Sequence, residues 1–87
     1  MRLKNNQELF DYLVRLASTL AARGQLELSR AVLAASHTAA TSPITEFLGE
    51  SRIALRQVEK EKLALSADEQ SDLLDVLRQL DEAFSRH

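Results

Sequence analysis

The chain has no cysteine, one proline and only two glycines among its 87 residues. Without cysteine there are no disulfides and no thiolate metal sites. With so few turn-makers, a sheet of short strands joined by tight turns has little to build on. No uninterrupted apolar run approaches the roughly 18–20 residues that a membrane span needs. Met1-Arg2-Leu3-Lys4 carries the charge of a secretory leader, but Asn5, Asn6, Gln7, Glu8 and Asp11 follow where an apolar core is required. A cytoplasmic protein with no membrane contact is therefore expected.

Charge of one sign is also lacking. The net charge is −2. Met1 to Pro43 carries five Lys/Arg against three Asp/Glu, and Ile44 to His87 six against ten. That is a mild dipole and no nucleic-acid-binding composition. What the chain does have is a 45% hydrophobic and 28% charged composition rich in Leu, Ala, Glu, Arg and Gln. These are good helix formers, in proportions that suit a folded domain. Residues 1–87 are expected to form one domain, with a thin stability margin because so short a chain buries only about 60–65% of its unfolded surface. Oligomerisation is the compensating device left open when disulfides and metals are not available.

Four helices are predicted, the first over about Asn6 to Arg23. Asn5 or Asn6 can cap it, with Glu8 in the position of a capping-box acid. Leu9, Leu13, Leu16 and Leu20 form one face, and Gly24 supplies a left-handed stop. The second covers about Gln25 to Ala40, with Leu28, Val32, Ala35 and Ala39 inward. Thr41-Ser42-Pro43 punctuates the chain, combining a capping Ser with Pro at a helix start. The third helix then runs to about Lys62, with Ile44, Leu48, Ser51, Leu55 and Val58 on one face. Ser66-Ala67-Asp68-Glu69 is a full capping box. It opens a fourth helix that reaches about Ser85 and buries Leu73, Leu77, Leu80 and Phe84. The fold class expected is all-α: four amphipathic helices in an up-down-up-down, antiparallel bundle.

Leu13, Leu16, Ala17, Leu20, Ser29, Leu33 and Ser36 fall roughly where a tetratricopeptide unit places its large and small residues. The resemblance covers one unit at most and lacks the aromatic and Pro signature positions. The spacing is that of a generic helical hairpin.

Enzyme chemistry finds no constellation. The histidines are His37 and His87, and Ala34 stands where a Glu-x-x-His metal motif needs its Glu. Ser36 adjoins His37, but helix neighbours point about 100° apart. Gly24 and Gly49 are isolated, so no phosphate loop exists. No catalysis, metal or cofactor is expected.

Three surface readings remain. Ile44 to Val58 resembles a helix-turn-helix, with Gly49 as the turn and Arg52, Arg56 and Gln57 towards a major groove. Glu50 and Thr45 depart from that pattern, and Thr41 to Lys62 carries four basic and four acidic residues, giving no net pull on phosphate. A continuous helix with a close-packed Gly49 is the preferred reading, and nucleic acid is not the expected partner. Asp68, Asp72, Asp75 and Glu82 line one face of the fourth helix. They are a solvated face or a docking surface for a basic protein, as in a small inhibitor or immunity-type protein. Finally, Phe10, Val14, Ala17 and Ala21 form a second apolar seam on the first helix, and Leu26 and Leu33 lie opposite the core stripe of the second. Helices apolar on two sides are sandwiched within one chain or between chains. A homodimer through Phe10, Val14, Ala17, Ala21, Leu26 and Leu33, rimmed by Arg15, Arg23 and Arg30, is the leading expectation for a protein-interaction module.

Overall fold

The computed structural model describes Met1 to Ser85. It contains α1 (Asn6–Ala22), α2 (Leu26–Thr41), α3 (Ile44–Lys60) and α4 (Ala67–Ser85), and no strand among the described residues. The all-α class and the four-helix bundle are as expected.

Each boundary has a local cause. Asn5 caps α1, its side-chain oxygen accepting from the Glu8 N–H at 2.9 Å. The Glu8 carboxylate reaches back one residue further than a standard capping box and accepts from the Lys4 N–H. At the other end Gly24 adopts φ 78°. Gln25 N–H then donates to Leu20 C=O at 2.8 Å and Gly24 N–H to Ala21 C=O at 3.1 Å. These two bonds make a Schellman close, satisfying carbonyls that the helix leaves orphaned. Ser66 and Glu69 exchange the reciprocal bonds of the expected capping box, Ser66 N–H to Glu69 Oε1 at 2.8 Å and Glu69 N–H to Ser66 Oγ at 3.3 Å. Ser42 departs from expectation. It provides no side-chain cap for α3, and the Glu46 and Phe47 N–H groups in the first turn of that helix donate to the Pro43 carbonyl.

The short turns force consecutive helices antiparallel, and their backbones approach most closely in the pairs α1/α2, α2/α3 and α3/α4. α1 and α4 close the bundle mainly through side chains. The Leu3 N–H donates to Gln79 Oε1 at 2.8 Å near one end of α1, and the Arg23 guanidinium grips Glu69 at the other. The two contacts show that α1 and α4 run in opposite directions. The molecule's shortest dimension, 19 Å, is about two helix diameters, so the bundle is two layers deep.

The core holds Leu9, Leu13, Leu16 and Leu20 of α1, Val32 and Ala35 of α2, and Leu73, Leu77 and Leu80 of α4. All were expected inside. α3 is rotated from its expected stripe: Phe47, Ser51, Ala54, Leu55 and Val58 are buried, Leu48 is half-buried, and Ile44 is exposed. Ala39, in the last turn of α2, is exposed too. Ser36 and Ser51 are completely buried, their hydroxyls donating to Leu33 C=O and Phe47 C=O in their own helices. Satisfied within the helix, they serve as small residues that let α2 and α3 come close.

The Arg23–Glu69 contact sits among other bonds. Arg23 Nη1 also donates to Ala64 C=O at 3.2 Å, which ties the α3–α4 connection to α1. Hydrogen bonds from Arg23 and then the Ser66 N–H hold the Glu69 carboxyl down at about 2. A carboxyl held below its unfolded value adds stability above that value and loses it as pH falls towards the folded value. The Glu69 contribution should therefore disappear between about pH 4.5 and about 2. In thermal melts across this window the wild type should lose more stability than Glu69→Gln, whereas parallel curves would show that the contact contributes nothing. Leu77→Ala should cost about 2–5 kcal/mol, a large part of a small domain's margin, read as a lower urea midpoint.

Candidate functional site

Helices α1 and α2 touch through small groups. Ala17 is only 3% exposed, and its carbonyl accepts the Ser29 hydroxyl at 2.7 Å. Ala17 was expected on an outer seam facing a second chain. It belongs instead to the contact between α1 and α2, where a methyl group admits the neighbouring backbone. The Ser29–Ala17 bond also sets the register of the antiparallel pair. Counting outwards from it, Val14 lies within one residue, about 1.5 Å, of the level of Leu33, and Ala21 within one residue of the level of Leu26.

These residues remain outside. Val14 is 37% exposed, Leu26 54% and Leu33 39%, and Ala21 is exposed as well. Phe10 is half-buried against the core. With Ala39, Ala40, Ile44 and Phe47 it lines an open depression of about 330 Å³ where α1 begins, α2 ends and α3 starts. Ile44, 58% exposed, stands at its edge. Ile44 and Ala39 were expected in the core, and they form this depression instead. The strip thus runs from Leu26 and Ala21, through Leu33 and Val14, to Phe10, Ala40 and Ile44. Arg15 and Arg30 are exposed. Arg23, expected in the same rim, is turned away to Glu69 and Ala64.

α3 passes through Gly49 without a break, so the turn that a helix-turn-helix requires is not formed. Nor are its arginines directed outwards to a groove. Arg56 Nη2 donates to Asp81 Oδ2 at 2.6 Å and Nη1 to Glu59 at 3.1 Å. Arg52 Nε lies 2.8 Å from Asp81 Oδ1, but the N–H is not aligned and that oxygen accepts no hydrogen bond. The Arg52 guanidinium also stacks over Phe84, 5.3 Å from the ring centre. Two arginines are thus matched by two carboxylates, Asp81 of α4 and Glu59 of α3 itself. Gln57 is exposed.

Of the acidic stripe, Asp68, Asp72 and Glu82 are exposed and Asp75 is partly covered. Asp75 Oδ2 lies 2.8 Å from the Met1 ammonium, and Oδ1 is 3.5 Å from Arg78. The hydrogen bond from Met1 lowers the Asp75 carboxyl below its ordinary value. One member of the stripe is therefore already paired within the chain.

Ser36 points into the core while His37 is exposed, so these neighbours do not form a pair. His87 lies outside the described residues. Among the described residues, no three His, Asp or Glu side chains are grouped to hold a metal ion, and no helix is long and apolar enough to cross a membrane. Tyr12 was missed as a core residue. It is buried beside the α1/α4 groove, and that burial, followed by the carboxylates of Asp72 and Glu69, raises its phenol well above the ordinary value. Its position four before Leu16 and three after Leu9 was the available signal.

Compared with known proteins, the chain matches no family model, no curated protein and no solved structure.

Gly49 was expected to permit close packing. A Cβ built there would meet only Phe84 Cζ, at 3.8 Å, an ordinary contact. Gly49→Ala should therefore stabilise α3 by about 0.5–1 kcal/mol through the lower entropy cost of alanine in a helix. A higher urea midpoint with unchanged helicity is expected; a loss of stability would mean that this position needs glycine.

Proposed function

We propose that this chain is a non-catalytic interaction module that self-associates through the outer face of α1 and α2. The observation that supports the reading is that, among the described residues, four of the eight exposed large apolar side chains, Val14, Leu26, Leu33 and Ile44, lie on one face beside the half-covered Phe10. Single exposed leucines are ordinary, but a contiguous apolar strip flanked by polar residues marks an interaction surface. The incentive to cover it is real, since fully burying an aliphatic side chain contributes about 1.5–3 kcal/mol. An isologous contact also suits a small domain that has no cysteine for a supporting disulfide.

A second copy is preferred over a charged partner because the strip lies in the half of the chain whose charges nearly balance. A nucleic acid is the less favoured partner, since Arg52 and Arg56 are occupied by Asp81 and Glu59. Val14 is the position to test, because it is central to the strip yet partly solvent-exposed. Sedimentation should find the wild type a dimer and Val14→Glu a monomer of unchanged helicity. A monomeric wild type overturns the reading, and a Val14→Glu chain that loses its helicity assigns Val14 to the intrachain core.

A further inference from the structure

We infer that the second copy lies on this face with its α2 antiparallel to the first, related by a two-fold axis across both helices at Leu33 and Val14. Leu26 of each copy then enters the depression between Phe10 and Ala40 of the other. The inference rests on the self-association proposed above and adds its geometry.

The spacing of knob and hole comes first. Leu26 lies seven residues before Leu33 and Ala40 seven after it. Each is therefore about 10 Å from Leu33 along the helix. A two-fold axis crossing α2 at Leu33 exchanges the two ends, bringing Leu26 of one copy over Ala40 of the other. Leu26 is exposed, and beside Ala40 lies an open, mostly apolar depression of about 330 Å³ that Asn6 and Gln7 also line.

The same axis suits α1. The Ser29–Ala17 hydrogen bond places Val14 within one residue of the height of Leu33, so one axis brings Val14 close to the partner's Val14 and Leu33 close to the partner's Leu33. Two exposed apolar residues on different helices thus lie within about 1.5 Å of one centre of symmetry along the helices. This reduces the requirement for self-complementarity to a single rotation.

Charge is consistent with it. With α1 antiparallel to its copy about Val14, Asp11 comes within a helical turn of the partner's Arg15, and the symmetric pair forms at the same time. Both residues are exposed in the single chain. With the axis along the helices instead, each α1 covers the partner's α2. The two depressions then face each other unfilled, and Leu26 meets the small Ala21.

The absence of cysteine makes the test direct, since any introduced thiol is the only one in its chain. A disulfide forms only where two Cα atoms come within about 4.4–6.8 Å. Under mild oxidation Leu33→Cys should give a linked dimer on its own. Leu26→Cys and Ala40→Cys should link when mixed and stay unlinked separately. Sedimentation and helicity of the reduced variants check that fold and assembly are intact. If the wild type is a dimer but the Leu26→Cys and Ala40→Cys mixture stays unlinked, and Leu33→Cys links to Val14→Cys in place of itself, this geometry is overturned while self-association stands. A monomeric wild type overturns both.

Discussion

The approach of α1 and α2 at Ala17 and Ser29 is the constraint on which the other features depend. A methyl group and a hydroxymethyl group meet where larger side chains would hold the helices apart, and the Ser29 hydroxyl donates to the Ala17 carbonyl. That bond does more than join the helices. It sets their relative height, and thereby decides which outward residues are neighbours. A different register would separate Val14 from Leu33 and Ala21 from Leu26, breaking the apolar strip into scattered side chains of no consequence. The Schellman close at Gly24 makes the register reachable, because it reverses the chain within a few residues and leaves little slack between the helices.

The remaining contacts are arranged around that hairpin. α2 contributes mostly small side chains to the interior, with Ala35 and Ser36 beside Val32, so α3 also lies close. The large residues are supplied by α1, α3 and α4. Where α4 returns to α1, polar ties at the helix ends complement the apolar packing. Arg23 meets both the capping-box acid Glu69 and the carbonyl of Ala64. Glu69 thus serves three purposes with one carboxylate: it accepts the Ser66 N–H, it complements the positive end of the α4 dipole, and it binds α1. A chain without disulfides gains from such shared partners, because each ordered side chain restricts several segments at once.

Local signals were the most legible part of this sequence. Asn5, Gly24 and the Ser66–Glu69 box mark helix ends through short-range chemistry, and all three act as read. The leucine stripes of α1 and α4 were equally plain, because leucines repeat there at three- and four-residue spacing. α3 was ambiguous in a physical sense. Ile44 and Phe47 stand three apart at its start, and hydrophobicity alone does not say which of two neighbouring faces turns inwards. The direction in which the chain leaves α2 decides it. Phe47 goes in and Ile44 stays out at the rim of the depression. Tertiary partnerships were the least legible. Besides the local Arg56–Glu59 pair, Arg23, Arg52 and Arg56, which all read as surface cations, each meet a carboxylate on α4 that lies between 25 and 46 residues away in sequence. No periodicity encodes such pairs. Ala17 was misplaced for a related reason. On a helix apolar over more than half its circumference, the boundary between core and outer seam depends on where the next helix lies.

That breadth explains why the strip lies outside. A bundle helix needs one apolar stripe, and α1 has two. α2 covers the inner part of the second stripe, at Ala17, and Phe10 is half covered where α3 begins. Neither neighbour can cover Val14 without abandoning the Ala17–Ser29 contact, since rotating α1 inwards at Val14 would lift Leu9 or Leu16 from the core. Val14 and Leu33 are 37% and 39% exposed and Leu26 54%, so each is partly covered by its own chain and partly left in water. The part that stays in water adds nothing to the packing of the single chain. It gains a role if the face is covered when the protein acts, because that remaining apolar area is then buried in the contact.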